Sequence, residues 1–438
     1  MESDTKEIGL YIAYSALMSM AIGPIITGSY ASLRGLKRPA NAPKPTKSDS
    51  PLEDSDDEEE SVTESLSSSD AWMFPVIGSG VLFSLYLVFK FLDKKYINYL
   101  ITAYFSIVGC AAITKTGMML ARKIVPLCVL KHVSKYKLTL TKQRKHLTHA
   151  SFTVIHAAML ATSIVLTVYY SLTKNWIASN IFGISFSINA IQLLSLDSFQ
   201  TGMILLSGLF FYDIFWVFGT EVMVSVAKNF DAPIKVIWPR NIIGFVLGIE
   251  EYTQAFTMLG LGDIVIPGIF VALCLRFDRH MAWKRNPVGD FRSTKFPKPY
   301  FVTCAIFYIG GLATTMAVMH IFNAAQPALL YLSPACILSV LLTALVRSEL
   351  KELFQYTTEE KEDDKNKKQK KEKGKKENKE KQVEEKKEDK QEEDDIHAVS
   401  SETQKNEDEE YVAVTPVENK SGAGSPKPSK KKKKGNKK

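Results

Sequence analysis

Long apolar runs separated by short polar loops occupy most of the first 350 or so residues. Nine of these runs are apolar over about 20 positions, the length that a helix needs to cross the ~30 Å hydrocarbon core of a bilayer. They lie at residues 8–31, 73–92, 97–117, 150–171, 176–195, 199–219, 256–276, 300–322 and 326–346. A shorter apolar piece, 242–249, is predicted to be re-entrant or to lie at the interface. The pattern therefore predicts an all-α polytopic membrane protein with about nine transmembrane helices.

Basic residues alternate between the loops and predict an orientation. The loops after the first, third and seventh runs are rich in Lys and Arg: Arg34, Lys37, Arg38, Lys44 and Lys47; Arg122, Lys123, Lys131, Lys135, Lys137, Lys142, Arg144 and Lys145; Arg276, Arg279, Lys284, Arg285, Arg292, Lys295 and Lys298. The intervening loops carry few basic residues. Positive charge in short loops marks the cytoplasmic side. The N-terminus is therefore predicted to be lumenal and the C-terminus cytosolic, which agrees with an odd number of spans.

Composition divides the chain into five segments. The segment 1–33 is predicted to hold the lumenal N-terminus and the first span, which is not a cleavable signal peptide because Glu2, Asp4, Lys6 and Glu7 give its flank no net positive charge. The segment 34–72 is an acidic, Ser-rich cytosolic loop, 73–195 holds spans 2–5, 196–350 holds spans 6–9 and 351–438 is a Lys/Glu-rich cytosolic tail. The loop and the tail are predicted to be disordered because they have too few apolar residues to offset the entropy of ordering.

The cysteines and the basic loops exclude several classes of function. The five cysteines, Cys110, Cys128, Cys274, Cys304 and Cys336, show neither paired spacing nor a zinc pattern, and they are predicted to be small buried side chains. No His-Glu-x-x-His run occurs, so a zinc protease is disfavoured and no metal or organic cofactor is expected. Nucleic acid is not an expected partner, because the basic loops are short, flank the membrane and are explained by topology.

Two carboxylates inside the spans are the strongest candidates for chemistry. Asp213 lies about two-thirds along span 6, and Asp263 about one third along span 7. Ionisable groups deep in a bilayer cost ~2.5–3.5 kcal/mol or more and are functional candidates by default. Because the two spans run in opposite directions, these carboxylates are predicted to face each other at similar depths. Such a pair can share a proton and activate water against a peptide carbonyl, one member as base and the other as acid.

The residues around the aspartates suit that chemistry. Gly260 and Gly262 remove side-chain bulk beside Asp263, so another backbone can come close. Pro267 lacks the N–H that would bond the Asp263 carbonyl, which loosens the helix. Tyr212 is placed to hydrogen-bond across the site, and Pro327 opens span 9.

Two other functions use similar features. A proton-coupled transporter also has paired intramembrane carboxylates and broken helices, but such transporters often have internal repeats, and none is evident here. A catalytically silent scaffold for membrane proteins would be indicated by the loss of one aspartate, and both are present. Both alternatives stay open and are ranked below the protease interpretation.

Three short motifs resemble those of intramembrane aspartyl proteases. Tyr212-Asp213, Gly260-Leu261-Gly262-Asp263 and Pro327-Ala328-Leu329 resemble the YD, GxGD and PAL motifs, in the same order, on spans 6 and 7 and at the start of span 9. Over about residues 75–350 the chain is similar to the signal peptide peptidase family. The resemblance implies a presenilin/signal peptide peptidase-like fold with Asp213 and Asp263 as the catalytic pair. It also implies that substrate is bound by Tyr212, Gly260, Leu261, Gly262, Pro327, Ala328 and Leu329.

The same resemblance implies partners and a location. The expected substrates are membrane-embedded signal-peptide remnants and single-span type II membrane proteins, cleaved within the lipid bilayer. The expected location is the endoplasmic reticulum membrane, where homo-oligomers or larger membrane complexes are possible partners. The C-terminal residues Gly435-Asn436-Lys437-Lys438 do not fit the dilysine retrieval pattern, so this location follows from the resemblance alone.

Overall fold

Helices account for most of the structure. The computed structural model describes residues 2–36, 64–124, 135–142, 145–220, 222–223, 226, 232–240, 256–287, 294–322, 326–358 and 411–417. Its long helices are α1 (Glu2–Ser32), α2 (Ser68–Phe91), α3 (Lys94–Ile124), α4 (Val154–Thr173), α5 (Trp176–Leu193), α6 (Phe199–Phe218), α7 (Gly262–Arg285), α8 (Pro299–Phe322) and α9 (Leu329–Val346). A 3-10 turn (Leu33–Gly35) follows α1, and a short α10 (Leu350–Gln355) follows α9. Each predicted span thus overlaps one long helix of the described residues.

Seven of these helices are long and apolar enough to cross a membrane by length and composition. The other two, α5 and α7, carry more polar residues and are largely buried against other parts of the protein. Every residue of α7 from Pro267 to Arg279 is buried, and this helix packs against α1, α5, α6, α8 and α9. On α5, the buried residues include Asn180 and Asn189. A helix that meets other helices rather than lipid does not need an apolar surface all round.

The hydrophobic core surrounds α7. It is built from side chains of α1, α5, α6, α7, α8 and α9. Near the C-terminal end of α7 the ring of Phe277 makes edge contacts with three others, with centroid separations of 5.3 Å to Phe199, 4.9 Å to Tyr300 and 5.2 Å to Tyr356. By contrast, α2, α3 and α4 pack at the periphery and leave most of their apolar side chains uncovered.

Short strands connect parts of the helical body. β1 (Glu64–Leu66) pairs in parallel with β4 (Leu194–Leu196). β2 (Lys135–Lys142) pairs antiparallel with β3 (Lys145–Thr153) and, on its other edge, with β7 (Tyr411–Val417). β5 (Lys235–Pro239) and β6 (Phe256–Gly260) pair antiparallel, and this two-stranded sheet is called the hairpin below.

Several helix boundaries differ from the predicted spans. The seventh apolar run starts as strand β6 and becomes helical only at Gly262, so the predicted helix over 256–276 is wrong for its first residues. The helix predicted over 150–171 begins four residues later, at Val154, because the residues up to Thr153 belong to β3. In contrast α2 begins five residues early, because the Ser67 hydroxyl and the Asp70 carboxylate form a capping box.

Some predicted features lie outside the described residues. These include the apolar piece 242–249, Cys128, most of the acidic loop and most of the tail, so the predicted disorder of both segments stays a prediction. Of the other cysteines, Cys274, Cys304 and Cys336 are buried free thiols and Cys110 is half-buried.

Candidate active site

Asp213 lies on α6 beside the first residue of α9. Helix α6 begins after Ser198, whose hydroxyl accepts a hydrogen bond of 3.2 Å from the Thr201 N–H. Asp213 is 5% exposed, and its Oδ2 accepts a hydrogen bond of 3.1 Å from the backbone N–H of Leu329. Because the first N–H groups of a helix have no partner within the helix and carry partial positive charge, this contact stabilises a carboxylate. The Pro327-Ala328-Leu329 motif thereby meets Asp213 directly.

Asp263 lies in the first turn of α7, where the hairpin strand β6 changes into a helix. The Leu261 N–H donates to the Ile234 carbonyl at 2.9 Å, which closes the base of the hairpin. The Leu261 carbonyl then accepts from the N–H groups of Ile264, at 3.1 Å, and Val265, at 2.8 Å, so the helix starts at this point. The strand-to-helix junction thus places the half-buried Asp263 at a helix N-terminus.

The two glycines of the motif have different surroundings. A Cβ atom on Gly260 would stand 3.3 Å from Oδ2 of Asp263, a tight contact. A Cβ atom on Gly262 would meet nothing within 4 Å, and this residue is exposed. Gly260 therefore gives the carboxylate its room, whereas Gly262 leaves open space beside it.

The hairpin that leads into Asp263 is fixed by a side chain of α5. The Asn180 carboxamide donates to the Ile237 carbonyl at 2.7 Å and accepts from the Ile237 N–H at 2.8 Å. It thus satisfies both backbone groups of one residue of β5, as a neighbouring strand would. Asn180 is not among the site residues predicted from the sequence. The signal for it in the sequence is an amide side chain inside an otherwise apolar run, because an amide is costly to bury without hydrogen-bond partners.

The two aspartates come together. Helix α6 packs against both α7 and α9, and the carboxyl groups of Asp213 and Asp263 are close enough to interact electrostatically. Two carboxyl groups in a site of low dielectric constant tend to share one proton, which provides an acid and a base together. Within the described part of the chain, no three His, Cys, Asp or Glu side chains are grouped in a way that could hold a metal ion.

The other predicted site residues surround this pair in different ways. Leu329 is buried, and Ala328 is the residue that precedes α9. Leu261 packs under the hairpin, with its Cδ1 3.2 Å from the Cβ position of Gly183. Tyr212 turns towards α2: its hydroxyl lies 3.9 Å from the Cβ position of Gly78. The predicted hydrogen bond from Tyr212 across the site stays a prediction.

Comparison with known proteins gives the family. The sequence profile described as signal peptide peptidase matches residues 57–360. Signal peptide peptidases of Mus musculus and Homo sapiens are 40% and 41% identical to the chain over 359 residues, which are 81% of this chain and 85% and 86% of the relatives. Intramembrane protease 2 of Caenorhabditis elegans is 49% identical over 212 residues, 48% of this chain and 44% of that protein.

A solved presenilin family intramembrane aspartate protease covers 76% of this chain and 99% of its own, but its TM-score of 0.42 and identity of 15% are too low to carry weight. The profile match and the two mammalian relatives, which extend over most of the chain, settle the assignment. This chain belongs to the signal peptide peptidase family and is a multi-pass intramembrane aspartic protease, which acts on membrane-embedded substrates within the bilayer.

Proposed function

We propose that Asp213 and Asp263 are the catalytic pair of this protease. The observation that carries the proposal is the hydrogen bond from the Leu329 N–H to Asp213, since it joins one candidate aspartate to the third motif across 116 residues of sequence. The packing of α6 against α7, which brings the two carboxyl groups close enough to interact electrostatically, supports it as well. Both aspartates stand beside a helix N-terminus, where a carboxylate is tolerated despite its depth in the membrane.

The proposed chemistry is hydrolysis by a shared-proton pair. The ionised aspartate takes a proton from a water molecule, whose oxygen attacks the scissile carbonyl carbon. The protonated aspartate then gives its proton to the leaving nitrogen as the C–N bond breaks. Each carboxyl group ends in the other's starting state, and a further proton exchange restores the pair. A helical peptide bond is shielded by its own hydrogen bonds, so the substrate unwinds locally before attack.

The open space beside Gly262 is the proposed position for the unwound stretch. No side chain fills the Cβ position of Gly262, and Asp263 follows it directly. Backbone polar groups that are freed inside a bilayer need partners within the protein. Near the two aspartates, the strand-to-helix junction at Gly260 and the segment Pro327-Ala328 before α9 offer such backbone groups outside regular helix.

The proposed substrates are signal-peptide remnants and type II membrane spans in the endoplasmic reticulum membrane. The name of the two mammalian relatives, signal peptide peptidase, supports signal peptides as substrates. The Lys- and Arg-rich loops support a lumenal N-terminus and a cytosolic C-terminus. We also expect oligomers of this chain or complexes with other membrane proteins.

The decisive experiment is cleavage of a labelled signal-peptide-like substrate by the purified full-length protein in lipid vesicles. We expect the Asp263→Ala and Asp213→Ala variants each to lose activity to background, because removal of either member leaves no acid–base pair. Asp93→Ala, in the exposed loop between α2 and α3, is the matched control and should retain wild-type activity. Cleavage that survives Asp263→Ala would exclude Asp263 from catalysis.

A further inference from the structure

We infer that Tyr308 is a positioning residue for Asp263, and that it replaces a backbone hydrogen bond which Pro267 removes. The inference rests on the proposed catalytic role of Asp263. It concerns the main-chain carbonyl of this residue rather than its carboxyl group.

Pro267 deprives one carbonyl of its usual partner. In a regular α-helix the carbonyl of residue 263 accepts a hydrogen bond from the N–H of residue 267. Residue 267 is a proline within α7 and has no N–H. A proline ring within a helix also clashes with the carbonyl four residues earlier, which disfavours regular helical geometry at that carbonyl. The carbonyl of the half-buried Asp263 is therefore left without its helical donor.

Tyr308 on α8 supplies a donor to that carbonyl. Its hydroxyl donates to the main-chain oxygen of Asp263 at 3.3 Å. The Tyr308 side chain is almost fully buried, at 1% exposed. Within a membrane, a proline-broken helix is tolerated when a neighbouring helix satisfies the freed backbone group. Tyr308 meets this requirement across 45 residues of sequence.

This hydrogen bond bears on catalysis because of where it is made. The carbonyl belongs to the same residue as the proposed catalytic carboxyl group, in the first turn of α7. Fixing it fixes the peptide plane that follows Asp263, and hence the direction in which the side chain leaves the backbone. A phenylalanine at 308 would fill the same space without the donor, so the first turn would be free to reorient.

The test is a double-mutant cycle in the full-length protein, with cleavage of the labelled substrate in vesicles as the readout. We expect Tyr308→Phe to lower kcat by about tenfold or more, with KM changed by less than about twofold. Pro267→Ala restores an N–H to position 267. In the Pro267→Ala background we therefore expect Tyr308→Phe to change kcat by less than about twofold.

Tyr300→Phe is the matched control. Tyr300 lies on the same helix and is equally buried, but its hydroxyl donates to Glu349 at 2.9 Å, away from Asp263. Its effect on kcat should be the same in both backgrounds. An equal loss of kcat from Tyr308→Phe with and without Pro267→Ala would overturn the inference, as would a Tyr308→Phe variant with wild-type kcat.

The outcome is distinguishable from a failure of the proposed catalytic pair. If Asp263→Ala remains active, the role of Asp263 itself is wrong, whatever Tyr308 does. If Asp263→Ala is inactive and Tyr308→Phe has wild-type kcat, only the positioning role is wrong.

Discussion

At the residue scale, the backbone acts on the two candidate aspartates in different ways. The Leu329 N–H reaches Asp213, and the Asp263 carboxyl group lies beside the space that Gly260 leaves empty. A fixed N–H group replaces a hydrogen bond that a buried carboxylate loses from water, and it does so without adding a second full charge. The pair can then change protonation state during the reaction without leaving an opposite buried charge unpaired.

The two glycines give the first prediction, because alanine would meet different surroundings at each position. With its Cβ at 3.3 Å from the Asp263 carboxylate, Gly260→Ala should displace that group and lower kcat by about tenfold to a hundredfold. Gly262→Ala adds a methyl group where nothing lies within 4 Å, so it should raise KM by narrowing the space for substrate. Steady-state kinetics of the two variants separates these effects. A loss of kcat in Gly262→Ala equal to that in Gly260→Ala would contradict the assignment.

At the scale of elements, the junction between β6 and α7 decides where Asp263 stands. The apolar run continues unbroken from strand into helix, but the backbone changes conformation between Gly260 and Gly262. Two hydrogen bonds between the Asn180 side chain and the backbone of Ile237 link the hairpin to α5. The position of Asp263 therefore depends on α5, which carries none of the motifs.

This dependence gives the second prediction. Asn180→Ala leaves the N–H and carbonyl of Ile237 without their partner, which costs about 1–3 kcal/mol and loosens the hairpin. We expect kcat to fall about tenfold. Asn189→Ala is the matched control: Asn189 lies on the same helix and its amide bonds the Ala112 carbonyl and the Thr116 hydroxyl of α3 instead. It should lower the melting temperature comparably, with a smaller effect on kcat. Equal kcat losses would mean that the hairpin has no special role.

At the scale of the whole molecule, the fold places the most polar helices at its centre. Helix α7 is surrounded by α1, α5, α6, α8 and α9, while α2, α3 and α4 form the outer side. One charged residue near the C-terminal end of α7 also caps α8: the Asp278 carboxylate accepts from the N–H groups of Tyr300, at 3.3 Å, and Phe301, at 2.8 Å. Such caps join the ends of successive spans on one side of the membrane.

The third prediction concerns orientation in the membrane. A glycosylation sequon on an N-terminal extension should be modified in microsomes, because the basic loops predict a lumenal N-terminus. The natural sequon Asn419-Lys420-Ser421 in the tail is the internal control and should remain unmodified. A glycosidase-sensitive mobility shift reports each outcome. Modification of Asn419 with none at the extension would invert the proposed topology.

The sequence alone determined the helical body and pointed to the candidate catalytic residues. Runs of about 20 apolar residues are local features, and a bilayer allows them few conformations other than helix. Charged residues are rare in such runs, so Asp213 and Asp263 were conspicuous, and their neighbours carried the resemblance to the family. No knowledge of the packing was needed for any of these inferences.

Only the tertiary structure decided the change from strand to helix before Asp263, since an apolar run of five residues fits either conformation. It also decided which polar side chains act on the site. The roles of Asn180 and Tyr308 depend on partners 57 and 45 residues away in sequence, and a sequence read locally shows that a polar group is present but not which group satisfies it. The physical reason is the same in each case: helix formation in a membrane is dictated locally, whereas the pairing of buried polar groups depends on which helices become neighbours.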